Sequence, residues 1–322
     1  MAETISMISK QLFKAIFAKV KATFKAMGQD FTRFVKTNPQ YLLCSVAYFV
    51  LASFLLGGLI TSFLIALLSY VISLFIAFTP IGEKLLRVLE HVRKIETKQE
   101  KEYLLPLFQE VYMQAKENNP ELEHIELCVI DKMIVNACSL GKHTIAVTKG
   151  AMETFSPDEL KALIAHEIAH ILYGDTMARL YMTVGNGLFT VFVLASKAFI
   201  FIAEWIEMMV SKAKFSFASI IITIVRLLFT LILFAVQFLM QAVMSISNRR
   251  SEFRADRYAY ELGYGEKLVK AFYLLEKAQL GDNSTIVQKM TASHPRITAR
   301  IEKIELLLET EDLMQTAPMP LN

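Results

Sequence analysis

His166-Glu167-Ile168-Ala169-His170 sets two imidazoles four residues apart with a carboxylate beside the first. Four residues are just over one helical turn, so both rings project from one face and can grip one zinc ion, with Glu167 placed to act on a water. The three fixed residues arise by chance in about one chain of this length in a hundred, so the motif needs a third ligand. A purely structural helix would be an odd place for them, since buried polar groups beside Ala165 and Ala169 require partners. Downstream, Ser251-Glu252-Phe253-Arg254-Ala255-Asp256 offers two carboxylates at i and i+4 on a helix that continues through Tyr258, Ala259 and Leu262. Glu252 can complete a three-ligand site with one position left open, and Asp256 can orient a ligating histidine through its other nitrogen. The competing reading is a solvated helix face, because arginines interleave the two acids.

The elements that must hold these residues are legible in part. Ser156-Pro157-Asp158-Glu159 supplies an N-cap, a first-turn proline and a capping-box glutamate, opening a helix through Leu160, Leu163 and Ile164. Glu100 to Lys116 reads as helix. Ile125 to Ile130 and Thr144 to Val147 read as short strands, and Met133 to Ser139 as a third strand or an edge. His91, His124 and His143 lie outside any ligand pattern, and Cys128 and Cys138 read as small buried residues.

Composition sets the surroundings. Of 322 residues, 54% are hydrophobic and 20% charged, with mean hydropathy +0.41, a balance too apolar for an ordinary soluble domain. Three isolated cysteines make no disulfide framework, and 34 basic against 31 acidic side chains leave no strong field for nucleic acid. No charged side chain lies between Thr37 and Gly82. Leu42 to Phe78 as one helix would run roughly 55 Å against a bilayer core of about 30 Å. Two spans turning near Gly57-Gly58 are expected, with a bent or re-entrant helix as the alternative. A second apolar region, Met182 to Ile246, is interrupted by Lys197, Glu204, Glu207, Lys212, Lys214 and Arg226. It reads as spans Leu180 to Ser196 and Leu227 to Ile246 flanking a loop.

Basic residues flank the first hairpin on both sides and follow the last span as Arg249, Arg250, Arg254 and Arg257. Both polar segments are therefore expected on the cytoplasmic side. The first 36 residues lack the apolar core of a cleavable signal. Ile5, Ile8, Leu12, Ile16, Val20 and Phe24 instead recur at helical spacing, which fits a helix on an anionic membrane surface or one packed on the protein itself. The expected organisation is a basic amphipathic segment 1–36, a transmembrane hairpin 37–82, a first catalytic part 83–179, a second hairpin 180–247, a second catalytic part 248–312 and a flexible tail 313–322.

Together these residues resemble the HtpX-like integral membrane zinc proteases, gluzincin relatives of the CAAX prenyl proteases. The likeness runs from about Leu104 to Leu307. It rests on Asn136-Ala137, Lys149-Gly150, Asp158-Glu159-Leu160, His166 to His170 with Gly174-Asp175, Glu252 to Asp256, and Ser293-His294-Pro295 with Arg300-Ile301. The resemblance implies one Zn(2+) per chain on His166, His170 and Glu252, with Glu167 as base and Asp256 outside the ligands. It places His294 near the active site as an aid to the oxyanion. Asp175 is either a further outer carboxylate or a helix bend, and the strand at Asn136 and Ala137 is where an extended polypeptide would add. The family's Asn-Ala-Phe-Ala reads Asn136-Ala137-Cys138-Ser139 here, which departs from the pattern near the substrate strand.

The expectation is a mainly α, integral membrane protein of four transmembrane helices in two hairpins, with a split zincin-like α+β catalytic domain. It would be a zinc endopeptidase in a bacterial inner membrane, or an organellar one if eukaryotic, with its active site facing the cytoplasm. The resemblance implies stress response and quality control, with abnormal or misassembled membrane proteins as substrates, the bilayer as surroundings and no nucleic acid. The alternatives are a narrow-specificity processing peptidase of the CAAX type and a non-catalytic scaffold or transporter.

Overall fold

Two of the long helices start at reciprocal caps. Thr97 and Glu100 cap Lys98–Asn118, and Ser156 and Glu159 cap Pro157–Tyr173; in each the hydroxyl accepts from the third helical N–H and the glutamate accepts from the cap's own N–H. The computed structural model describes residues 60–187, 249–279 and 296–316, with scattered positions between 14 and 50 and between 190 and 238. In chain order, α1 (Ile60–Ala77), α2 (Pro80–Leu89), β1 (Val92–Lys94) and α3 (Lys98–Asn118) precede β2 (Glu126–Ile130), β3 (Ala137–Leu140) and β4 (Thr144–Thr148). Then come α4 (Lys149–Thr154), α5 (Pro157–Tyr173) and α6 (Asp175–Leu180), which runs on into a widened π turn at Tyr181–Asn186. Helix α7 (249–259) passes through a turn broken at Gly263, φ 84°, into α8 (Gly265–Gln279), and α9 (Ile297–Thr316) follows.

The strands order as β1-β2-β4-β3, with β2 and β4 parallel and the outer pairs antiparallel. All five residues of β4 are buried, as the centre of a sheet covered on both faces demands. One core unites Leu104 and Val111 of α3, Ile145 and Val147 of β4, Leu160, Ile164 and Ile168 of α5, and Leu268, Phe272 and Ile304 from the later helices. Each such aliphatic side chain contributes about 1.5–3 kcal/mol on burial. The core thus draws on residues from both sides of the second apolar region. Cys128 and Cys138 both pack beside Ala146 on the other sheet face as free thiols, and burial pushes their pKa values up to about 11 and about 12.

Helix α2 is held to the sheet by a polar clasp. Arg87 donates from Nε to Thr144 Oγ1 (2.7 Å) and from Nη1 to Glu126 Oε2 (2.7 Å), while Glu83 accepts from Thr144 and from the Lys142 amide (3.0 Å). Gly141, at φ 60°, lets the β3–β4 turn reach Glu83; a Cβ there would lie 2.3 Å from its carboxylate.

The sequence predicts four membrane spans, and here it is corrected. Among the described residues no helix is long and apolar enough to cross a membrane, which overturns the integral membrane architecture of two transmembrane hairpins. The helix described within 37–82, α1, has 18 residues, roughly 27 Å of helix against about 30 Å of hydrocarbon. It ends before Pro80, which starts a new helix. Its C-terminal end meets protein: Ala77 and Phe78 are buried against Met177 and Tyr181, and the Tyr70 hydroxyl lies 2.8 Å from that of Tyr181. Most of the predicted span Leu227 to Ile246 and several positions of Leu180 to Ser196 beyond Gly187 lie outside the described residues, as do most of the amphipathic segment 1–36 and the end of the tail.

Candidate metal centre and active site

Helix α5 carries the H-E-x-x-H motif through the interior. Every residue from Ala162 to His170 is buried, and the small Ala162, Ala165 and Ala169, each fully buried, let the neighbouring elements approach. The helix ends at Gly174, whose left-handed φ of 78° only glycine adopts without strain. That bend starts α6 at Asp175 and turns its carboxylate back toward the motif. Gly174 makes the bend, and Asp175 Oδ2 lies 3.0 Å from His170 Nδ1.

Helix α7 brings Glu252 and Asp256, 4% and 2% exposed, against the same spot. Nε2 of His166 is 3.1 Å from Nε2 of His170, and these nitrogens lie 3.4 and 3.5 Å from the Glu252 carboxylate oxygens. A tetrahedral zinc with bonds of about 2.0–2.1 Å needs ligand atoms roughly 3.3 Å apart. The three side chains converge closely enough to share one ion, and among the described residues they are the one His/Cys/Asp/Glu group that offers three ligand atoms within 4.8 Å of one another.

Charge points the same way. Among the described residues, Glu167, Asp175, Glu252 and Asp256 gather here against two guanidinium groups, Arg254 and Arg300, a deficit that a divalent cation would balance. Burial alone would lower both imidazole pKa values, but carboxylates outweigh it. Asp256 and Glu252 raise His166, while Asp175 and Glu252 raise His170 to about 10. The metal-free cluster thus favours protons where a cation would sit.

The outer contacts set which imidazole nitrogens face the metal position. His166 Nδ1 is 3.0 Å from Asp256 Oδ1 and His170 Nδ1 is 3.0 Å from Asp175 Oδ2. In the tautomer where each Nδ1–H donates to a carboxylate, both Nε2 lone pairs would be left for an ion. Each carboxylate is itself held by an arginine. Arg254 Nη2 donates to Asp175 Oδ1 at 2.7 Å and stacks over Tyr173. Arg300, on α9, grips Asp256 in bidentate fashion, with Nε to Oδ2 at 2.8 Å, reaches Glu252 Oε2 from Nη1 at 3.0 Å and lies over Phe272. Burial would raise the Asp256 pKa, but the charge and hydrogen bonds of Arg300 together with those of His166 outweigh it and hold the carboxyl below the usual range.

The sequence marks Arg300 only as part of a motif, because its partners lie 44 to 134 residues upstream and no local pattern signals them. Ser139 was missed in the same way: its hydroxyl donates to Glu167 Oε2 at 2.8 Å. Asn136 and Ala137 stand on or beside β3 and not among the ligand atoms. Asn136 is exposed, with its backbone paired to Thr148. His294 lies outside the described residues.

The chain is 26% identical over 226 residues to a Protease HtpX of Psychrobacter sp., covering 62% of this chain and 69% of that protein. Against Protease HtpX of Pseudomonas syringae pv. tomato it is 29% identical over 178 residues, covering 50% and 56%. Against the Protease HtpX homolog of Bacillus subtilis it is 28% identical over 188 residues, covering 53% and 59%. The chain thus spans from just over half to about two thirds of the length of these relatives. The crystal structure of S. mikatae Ste24p aligns with TM-score 0.49 and 19% identity, covering 92% of this chain and 67% of that one. The model of Peptidase family M48 matches residues 98–307, a stretch that contains every described member of the cluster around His166 and His170, and the chain belongs to peptidase family M48, as an HtpX-like protease.

Proposed function

We propose that this chain is a zinc-dependent endopeptidase acting on extended, unfolded polypeptide segments. The observation that carries the reading is the convergence of His166, His170 and Glu252, with ligand atoms within 4.8 Å of one another, beside the Glu167 carboxylate on the same helix. Zinc held there supplies a Lewis acid that polarises the scissile carbonyl and lowers the pKa of water toward about 7. The protein does the rest. Asp256 and Asp175 hold the two imidazoles in the ligating tautomer. Glu167 takes the proton of the attacking water and delivers it to the leaving amine. Oxyanion stabilisation is assigned to His294 on resemblance alone.

Strand β3 ends the sheet and is bonded on one side, to β4. The other side offers main-chain groups to an extended substrate beside Asn136 and Ala137, and lies next to α5. Such an edge recognises backbone more than side chains. This suits the abnormal or misassembled polypeptides, membrane proteins among them, that the resemblance implies.

The test is metal analysis of the purified protein together with hydrolysis of an unfolded substrate such as reduced casein. One zinc per chain, with hydrolysis abolished by a chelator and restored by zinc, supports the reading. A protein that cleaves equally well without metal overturns it.

A further inference from the structure

We propose that Ser139 is a positioning residue for Glu167, fixing the plane of its carboxylate so that one oxygen stays aimed at the water. The inference rests on the assignment of Glu167 as base.

Ser139 is the third residue of β3, on the strand face that Ala137 turns toward the core shared with α5. It is 5% exposed, and a hydroxyl on that face costs free energy unless it is paired. Its partner is Glu167 Oε2, at 2.8 Å. The terminal torsion of a glutamate is broad and nearly two-fold, so an unanchored carboxylate would rotate between orientations of which only some face the water. With Oε2 held from the strand, Oε1 is the oxygen left for proton transfer. The contact also ties the base to the edge where substrate adds, so the strand that aligns the peptide aligns the base as well.

The experiment compares wild type with Ser139→Ala and Ser139→Thr, each in the Glu167 and Glu167→Gln backgrounds. Zinc content, kcat and KM are measured with a fluorogenic peptide. The affinity of a peptide hydroxamate, whose proton is shared with the base, is read by calorimetry and needs no turnover. A hydrogen bond to a charged group supports an effect of about 10-fold or more. Ser139→Ala is expected to lower kcat and hydroxamate affinity by about 10-fold with KM and zinc content unchanged, and Ser139→Thr to restore both. In the Glu167→Gln background, Ser139→Ala should leave hydroxamate affinity unchanged. Overturning results are a Ser139→Ala protein with wild-type kcat and hydroxamate affinity, one that loses zinc, or one whose hydroxamate affinity falls equally in both backgrounds. Failure of the underlying reading shows separately, as a Glu167→Gln protein that still turns over at the wild-type rate.

Discussion

Replacing Asp256 by Asn tests how far the metal centre depends on residues that do not touch the ion. The change keeps the shape of the side chain and removes one charge from a position 2% exposed. In the native arrangement Asp256 accepts from His166 Nδ1 and from two nitrogens of Arg300. An asparagine has one accepting oxygen for these donors, and its amide must then face a donor. Two consequences follow. His166 loses the partner that fixes its tautomer, which weakens zinc binding by roughly 10- to 100-fold, or about 1.4–2.7 kcal/mol. Arg300 is left with Glu252, already 3.0 Å away, as its remaining counter-charge and competes with the ion for that ligand. Breaking a buried pair costs about 3 kcal/mol, the lower end of the range because Glu252 remains. Competition with a chromophoric chelator gives the zinc affinity, and urea unfolding of the metal-free protein gives the stability. Wild-type values for both in Asp256→Asn would refute the reasoning.

Glu252→Ala removes a ligand outright, and zinc content after dialysis should fall to background, far beyond the loss in Asp256→Asn. Gly141→Ala forces a Cβ to φ 60° and toward the Glu83 carboxylate; urea unfolding should show a loss of about 2 kcal/mol, with zinc stoichiometry unchanged. Glu100 is held at about 2, below its ordinary 4.5, by hydrogen bonds from Arg93. A depressed folded-state value stabilises the protein above pH 4.5 and loses that contribution as pH falls through about 2. Glu100→Gln should therefore cost about 2 kcal/mol at pH 7, and the difference from wild type should at least halve by pH 3 in urea titrations.

The legible parts of the molecule are those whose physics is local. Ser156 to Glu159 cap α5 through contacts three residues apart, and His166 to His170 and Glu252 to Asp256 each share one helix face, so a reader of the sequence can place them. Arg300 and Ser139 act across the fold, and nothing near them in the chain signals the partner. β1, with three residues, is too short to show alternation. Helix α2 merges with the apolar run before it, because Ile81, Leu85 and Leu86 continue the pattern past Pro80. The membrane spans show the converse failure. Hydropathy reports that α1 is apolar but not what it faces, and Ala77 and Phe78 pack on the helix that follows Gly174. The i and i+4 carboxylates of α7 could equally have faced solvent, and burial against α5 is what separates the two readings.

Glu167 is the residue given proton transfer and no part in holding metal. Glu167→Gln keeps size and can still accept from Ser139, so the measurement is zinc content and hydrolysis of unfolded casein on the same preparation. The account predicts one zinc per chain, as in wild type, with hydrolysis lower by at least about 10²-fold. A Glu167→Gln protein that retains its zinc and cleaves casein at the wild-type rate would contradict it.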